Sequence, residues 1–254
     1  FTGNKFEFRS LGSSETIACT NCILNTIVAN SLKEFADRLE GADDFKAELN
    51  KLLAETVKKH KRVLFNGNGY DASWVEEAAR RGLPNYATTV DAVPHYTDDK
   101  NVKMFEMFKV YNRTELESRT EIILENYAKV LNIEALTMLD MAKRQILPAG
   151  MEFAKKLADS VVAKKAADIN YELEKKLADK VSALNAGISA AIDELDSSLI
   201  GVADAGDAEA TAVYYRSSVF AAMQNLRAVA DELETITPEK MWPFPTYGDL
   251  LFKV

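Results

Sequence analysis

The hydrophobic period of the chain changes once. Asn4-Lys5-Phe6-Glu7-Phe8-Arg9 alternates polar and apolar residues with the period of two of a half-buried β-strand. Nearly everything after it repeats at three and four, the period of amphipathic helices. The alternation predicts Lys5, Glu7 and Arg9 on one strand face and Phe6 and Phe8 on the other. Gly12-Ser13-Ser14 predicts a turn, with a serine capping a helix over 15–39. Its buried face would carry Ile17, Leu24, Ile27, Val28, Leu32, Phe35 and Leu39, and Gly41 ends it. A second helix is expected from Asp43, as N-cap, to about Val63, with Phe45, Leu49, Leu52, Leu53 and Val57 as its stripe.

Asn66-Gly67-Asn68-Gly69 reads as a doubled turn, because a dinucleotide loop needs a third glycine between a strand and a helix. A short helix over 73–81 stops at Gly82-Leu83-Pro84. Residues 84–100 then form a connector with one helical turn, placed as a hinge. From Asn112 onward the pattern is strongly helical, with Thr114 as the expected cap. Pro148 is expected to break or kink that helix near Leu147. Heptad-like spacing follows at Leu173, Leu177, Val181, Leu184, Ile188, Ile192, Leu195 and Leu199. After a break at Gly201 and 203–207, a last helix carries Tyr215, Val219, Ala222, Leu226, Val229 and Leu233. Long stripes joined by short breaks predict an antiparallel bundle. The tail, from Met241 to Phe252, holds two prolines and four aromatic residues and is expected to dock in a groove of this chain or of a neighbouring subunit. The resulting division is 1–65 (strand plus helices), 66–111 (turn-rich connector with short helices), 112–240 (long-helix bundle) and 241–254 (docking tail).

The composition narrows the function classes. The formal net charge is -8 and the cations are interspersed with acids, which argues against nucleic acid and anionic membrane as partners. No apolar run is long enough for a transmembrane helix, and no charged n-region followed by an apolar stretch within these residues marks a signal peptide. The chain opens on Phe1, so it is expected to begin within a longer polypeptide. Two cysteines are too few for a disulfide framework and point to a reducing, cytoplasmic compartment. Cys19-Thr20-Asn21-Cys22 has C-x-x-C spacing, yet it lies in an apolar-periodic stretch. Small packed thiols are therefore the expectation, ahead of a redox pair or a metal site.

The candidate chemistry sits on the strand. Side chains on one strand face lie about 6.5–7 Å apart, so Glu7 is flanked by two fixed cations. A carboxylate so placed can ligate a hard metal ion, and the cations can hold phosphate oxygens. The competing reading is a solvated charge ladder on an edge strand.

Asn4-Lys5-Phe6-Glu7-Phe8-Arg9 with Gly12-Ser13-Ser14 resembles the end of the catalytic domain of type III glutamine synthetases. Four further stretches resemble the C-terminal region of the same family: 24–29 (Leu-Asn-Thr-Ile-Val-Ala), 82–85 with 88–92, 115–119, and the tail from Trp242 to Phe252. The resemblance implies a mainly α chain: one N-terminal strand from a truncated α+β catalytic domain, then an antiparallel helical bundle. It implies an ATP-dependent ligase joining glutamate and ammonia through γ-glutamyl phosphate, with Mg²⁺ or Mn²⁺ and a homo-oligomeric ring. Residue by residue, Glu7 stands at a metal-ligand position, Arg9 at the arginine that contacts the transferring phosphoryl group, and Lys5 near the nucleotide phosphates. The remaining site residues would lie upstream, so the isolated chain is expected to be inactive. A reading of a different class is a non-catalytic helical assembly module.

Overall fold

The computed structural model describes Gly12 and residues 16–252, and among these every regular element is helical. The strand expected over residues 4–9 and the serines expected to cap the first helix lie outside the described residues. The chain divides into two compact units, residues 1–120 and 121–254.

The first unit contains α1 (Ile17–Glu40), α2 (Phe45–His60), α3 (Ala72–Arg80), α4 (Thr89–Ala92), α5 (Asp99–Met107) and the start of α6 (Arg113–Met141). Aspartate side chains cap two of these helices. The Asp44 carboxylate accepts the Ala47 N–H at 3.0 Å, and the Asp71 carboxylate accepts the Ser73 N–H at 2.8 Å. The cap of α2 is thus Asp44 rather than Asp43. Arg38 ties α1 to α2 by pairing with Glu48 and, at 2.6 Å, with Glu55. A small core forms where Val102, Phe105 and Leu116 bury against Ile23, Met104, Val110 and Tyr111.

The stripe expected to bury α1 is largely exposed: Ile17, Ile27, Val28 and Leu32 face outward. On α2, Phe45, Leu53 and Val57 are likewise exposed, and Leu52 is the buried residue. The face of α1 that does pack carries Cys22 and Ile23, which meet Tyr111 and the core around Phe105. Helical spacing marks an apolar arc but does not say which part of it finds a partner within this unit.

The second unit is an antiparallel three-rod bundle. The first rod is α6 continued by α7 (Leu147–Ala166), the second is α8 (Glu172–Ile200), and the third is α9 (Ala208–Tyr214) continued by α10 (Phe220–Ile236). Cross-rod pairs fix the directions. Lys143 pairs with Asp196 and Lys164 with Glu174, so numbers rise along one rod as they fall along the next. Lys180 reaches Glu232 at 2.9 Å, and Asn225 donates to Glu194 at 3.2 Å, so the third rod runs antiparallel to α8 as well. The core joins Leu131, Ala135 and Leu139 of α6, Val181, Ile188 and Leu195 of α8, and Val219, Leu226 and Leu233 of the third rod. The predicted heptad stripe of α8 is buried from Val181 to Leu195, while Leu173 at its start stays exposed.

Three local expectations are refined. Pro148 interrupts the regular α-helical turns near Leu147, as the sequence predicts, but does not end the rod. A π turn over Ala142–Ile146 precedes it, and the helical path continues to Ala166. Proline lacks an N–H and its ring strikes the carbonyl four residues back; the widened turn contains that carbonyl, at Arg144, and absorbs the conflict. The cap before α6 is Asn112 rather than Thr114. Its side chain accepts the Glu115 N–H at 2.9 Å, while the Glu115 carboxylate accepts the Asn112 N–H at 2.8 Å. The tail divides into two parts. Met241 and Trp242 pack on the bundle core of this chain, whereas Leu250, Leu251 and Phe252 of α11 (Tyr247–Phe252) remain exposed.

The Lys164–Glu174 pair gives the bundle a pH signature. The Lys164 ammonium holds the Glu174 carboxyl below its ordinary 4.5. A depressed carboxylate contributes stability above its unfolded pKa and loses it as pH falls through the lower folded value. Acid denaturation followed by circular dichroism should therefore show Glu174→Gln weakening the protein near neutrality. The difference from the parent should vanish in acid, once the parent carboxyl is protonated.

Candidate functional site

Lys5, Glu7 and Arg9 all lie outside the described residues, so the geometry on view is that of the segment that follows them. Among the described residues no group of three or more His, Cys, Asp or Glu side chains could hold a metal ion.

The polar cluster that does form joins α1 to the chain around α5. Cys19 Sγ lies 3.8 Å from the Tyr96 hydroxyl. One helical turn on, the Cys22 thiol donates to the Tyr111 hydroxyl at 3.7 Å. The Arg119 guanidinium lies over the Tyr111 ring, 4.3 Å from its centroid, a cation–π contact worth about 0.5–1 kcal/mol. Burial and the neighbouring Cys19 push the Tyr96 phenol up to about 12, and the hydrogen bond with Cys22 raises Tyr111. Both phenols are therefore neutral at physiological pH. Nearby, His95 Nδ1 sits 3.1 Å from the Asp98 carboxylate, and its ring lies 4.0 Å from that of Tyr86. Sequence reasoning missed Tyr96 and Tyr111, because an aromatic residue in a proline-containing connector carries no periodic signal.

The stretches that resemble the synthetase family hold this unit together. Gly82 has φ +70°, and the Gly82 and Leu83 N–H groups return to the carbonyls of Ala79 and Ala78, closing α3 in a glycine-terminated turn. Thr88 caps α4, its hydroxyl accepting the Asp91 N–H at 3.3 Å and donating to the Asp91 carboxylate at 2.6 Å. Glu115 completes the reciprocal cap with Asn112, Leu116 is buried in the small core, and Arg119 covers Tyr111. Asn112→Ala is accordingly expected to cost about 1 kcal/mol, read as a lower denaturant midpoint at unchanged slope.

Residues 48–165 match the family model of the glutamine synthetase C-terminal domain. This region belongs to that family. Relatives extend the likeness over the whole chain. A glutamine synthetase of Butyrivibrio fibrisolvens is 37% identical over 262 residues, covering 100% of this chain and 37% of its own length. A type-3 glutamine synthetase of Dictyostelium discoideum is 34% identical over 263 residues, covering 99% of this chain and 36% of its own length. A glutamine synthetase of Bacteroides fragilis is 30% identical, again over 99% of this chain and 36% of that protein. The chain thus spans little more than a third of the length of these relatives.

In the second unit, an open cleft of about 420 Å³ is lined by Glu121, Glu125, Lys129, Asn132 and Tyr215, among others. Glu125 pairs with Lys129 at 2.7 Å, and the Tyr215 hydroxyl donates to Asn132 at 3.0 Å. Those contacts engage Glu125, Lys129, Asn132 and Tyr215 with one another, and burial raises the Tyr215 phenol, which stays neutral.

Proposed function

We propose that this chain is the C-terminal part of an ATP-dependent glutamate–ammonia ligase that makes glutamine through γ-glutamyl phosphate. The observation that carries the reading is identity to glutamine synthetases across essentially the whole chain, at 37% for the highest of the three relatives. In this reading Glu7 ligates Mg²⁺ or Mn²⁺, Arg9 contacts the transferring phosphoryl group, and Lys5 lies near the ATP phosphates. A carboxylate between two cations suits a hard cation bound to phosphate, and the remaining ligands come from elsewhere in the enzyme. Bound there, the divalent ion supplies charge neutralisation for the phosphates. Arg9 presents a bidentate donor fork to the equatorial oxygens, while Lys5 provides a point charge without that geometry. The γ-carboxylate of glutamate takes the phosphoryl group from ATP, and ammonia then displaces phosphate at the acyl carbon. The enzyme works as a cytoplasmic homo-oligomer.

The isolated chain is expected to release no phosphate from ATP in the presence of glutamate and ammonia. Robust turnover by these residues alone would defeat the assignment. Assembly is the second role, favoured by Ile122, Ile133 and Leu136, apolar side chains left exposed on α6. Deleting residues 112–254 from a synthetase carrying this chain should lower the number of subunits per particle, read by light scattering. An unchanged subunit number and activity would show that the bundle serves neither purpose.

A further inference from the structure

The cysteine pair of α1 has no part in the chemistry proposed above, and only Cys22 lies on the packed face of the helix. The sequence pattern places both sulfurs in a buried stripe, yet Cys19 is exposed and Cys22 is half-buried, and both are free thiols. They stand at i and i+3 in the first two turns of a helix that begins at Ile17. Side chains at that spacing share one helix face, with Cβ atoms about 5–6 Å apart. A disulfide needs about 3.5–4.5 Å between the same atoms. Closure therefore asks for a movement of about 1–2 Å at the N-terminal turn. That turn is lightly held, because the N-cap Thr16 makes no side-chain hydrogen bond to it.

Both sulfurs also point the same way, since each meets a phenol from the segment that packs on α1: Tyr96 for Cys19 and Tyr111 for Cys22. Cation chemistry is not what the surroundings offer, for no third Cys, His or carboxylate joins the two thiols into a ligand group among the described residues. An exposed Cys19 gains nothing from burial. What the geometry leaves is the chemistry of two neighbouring thiols.

We propose that Cys19 and Cys22 are a reversible dithiol–disulfide site, closed by a peroxide or a small-molecule disulfide and reopened by a thiol reductant. With a peroxide, the exposed Cys19 sulfur attacks as thiolate, the O–O bond breaks, and the departing hydroxide is protonated to water. Cys19 is then a sulfenic acid. Cys22, as thiolate, attacks the Cys19 sulfur; the S–S bond forms, the S–O bond breaks, and a second water leaves. Two electrons pass from the thiols to the peroxide, which is fully reduced. A disulfide drawn together along the helix gives up both sulfur–phenol contacts. Oxidation thereby loosens the hold of α1 on residues 93–111. Transient disulfides of this kind are the sort found in reducing compartments.

The test is titration of the purified chain with hydrogen peroxide, and separately with oxidised glutathione. Thiol counting, intact mass and non-reducing peptide mapping provide the readouts. The expected result is loss of both thiols with a mass loss of two hydrogens, a Cys19–Cys22 cross-linked peptide, and recovery of both thiols with dithiothreitol. Hydrogen exchange in residues 93–112 is expected to accelerate on oxidation and to slow again on reduction. Cys19→Ser and Cys22→Ser should each stop at a single modified sulfur, with circular dichroism verifying that the helices persist. The proposal is overturned if both thiols survive the oxidant, if oxygen atoms add without loss of hydrogen, or if the only disulfides link separate chains. Cys19→Ala, which keeps a good helix former in the first turn, repeats the comparison should the serine variant unfold.

Discussion

Replacing Arg9 by alanine, in a synthetase that carries this chain, is expected to lower the rate of phosphate release by about 10²–10⁴-fold. Phosphoryl transfer leaves little covalent work to the protein, so its rate depends on charges held where the equatorial oxygens gather negative charge. A guanidinium makes two parallel hydrogen bonds to such oxygens, and alanine makes none. The loss should fall mainly on kcat, because the contact strengthens as charge develops in the transition state. Arg9→Lys should recover only part of the rate, since the charge returns without the fork. Glu7→Gln should instead raise the divalent-ion concentration needed for half-maximal rate. Activity within about twofold of the parent for Arg9→Ala would return the triplet to a solvated charge ladder. A change in KM for ATP alone would move Arg9 from the phosphoryl group to nucleotide binding.

Gly150→Val is expected to destabilise the second unit by about 3 kcal/mol, at the upper end of what overpacking costs. Gly150 is buried where α7 crosses both α8 and α10. A Cβ at that position would stand 2.8 Å from the Leu233 side chain and would collide with the Asn185 amide oxygen. Val181, Ile188 and Leu233 of the same core are fully buried, so the added methyl groups have no open space to enter. The Asn185 oxygen is itself buried without a hydrogen-bond partner, so the crossing already carries an unsatisfied acceptor. That predicts a positive coupling. Asn185→Ala should cost little alone, and the double variant Gly150→Ala, Asn185→Ala should be more stable than the sum of its parts. Urea denaturation of the four proteins measures it. Strict additivity would mean that Leu233, rather than Asn185, sets the limit at Gly150.

Much of the bundle was legible because its signals are local. The heptad spacing from Val181 to Leu195, the break at Gly201 and the stripe from Tyr215 to Leu233 depend on helical period and on glycine, and the structure uses them as the pattern implies. Caps were legible to within a residue or two, since Asp43 beside Asp44, or Thr114 beside Asn112, offer the same chemistry to neighbouring turns. The interruption expected at Pro148 is present as a π turn, and that the rod nonetheless continues is a matter of tertiary structure. The pairs Lys143–Asp196 before it and Lys164–Glu174 after it hold the rod against α8, and a π turn accommodates the ring.

The candidate chemistry divides along the same line. By itself, the sequence determined the helical period, the approximate ends of α1, α2 and α3, the charged triplet Lys5, Glu7 and Arg9, and the C-x-x-C spacing, because each depends on residues a few positions apart. Only the tertiary structure decided which arc of α1 packs, that Trp242 docks on its own bundle while Leu250 to Phe252 do not, and that two tyrosines from the connector face the two thiols. Those outcomes join residues that lie far apart in the chain. Helical and strand periods repeat over a few residues and hold no information about which distant segment will supply the other half of a contact.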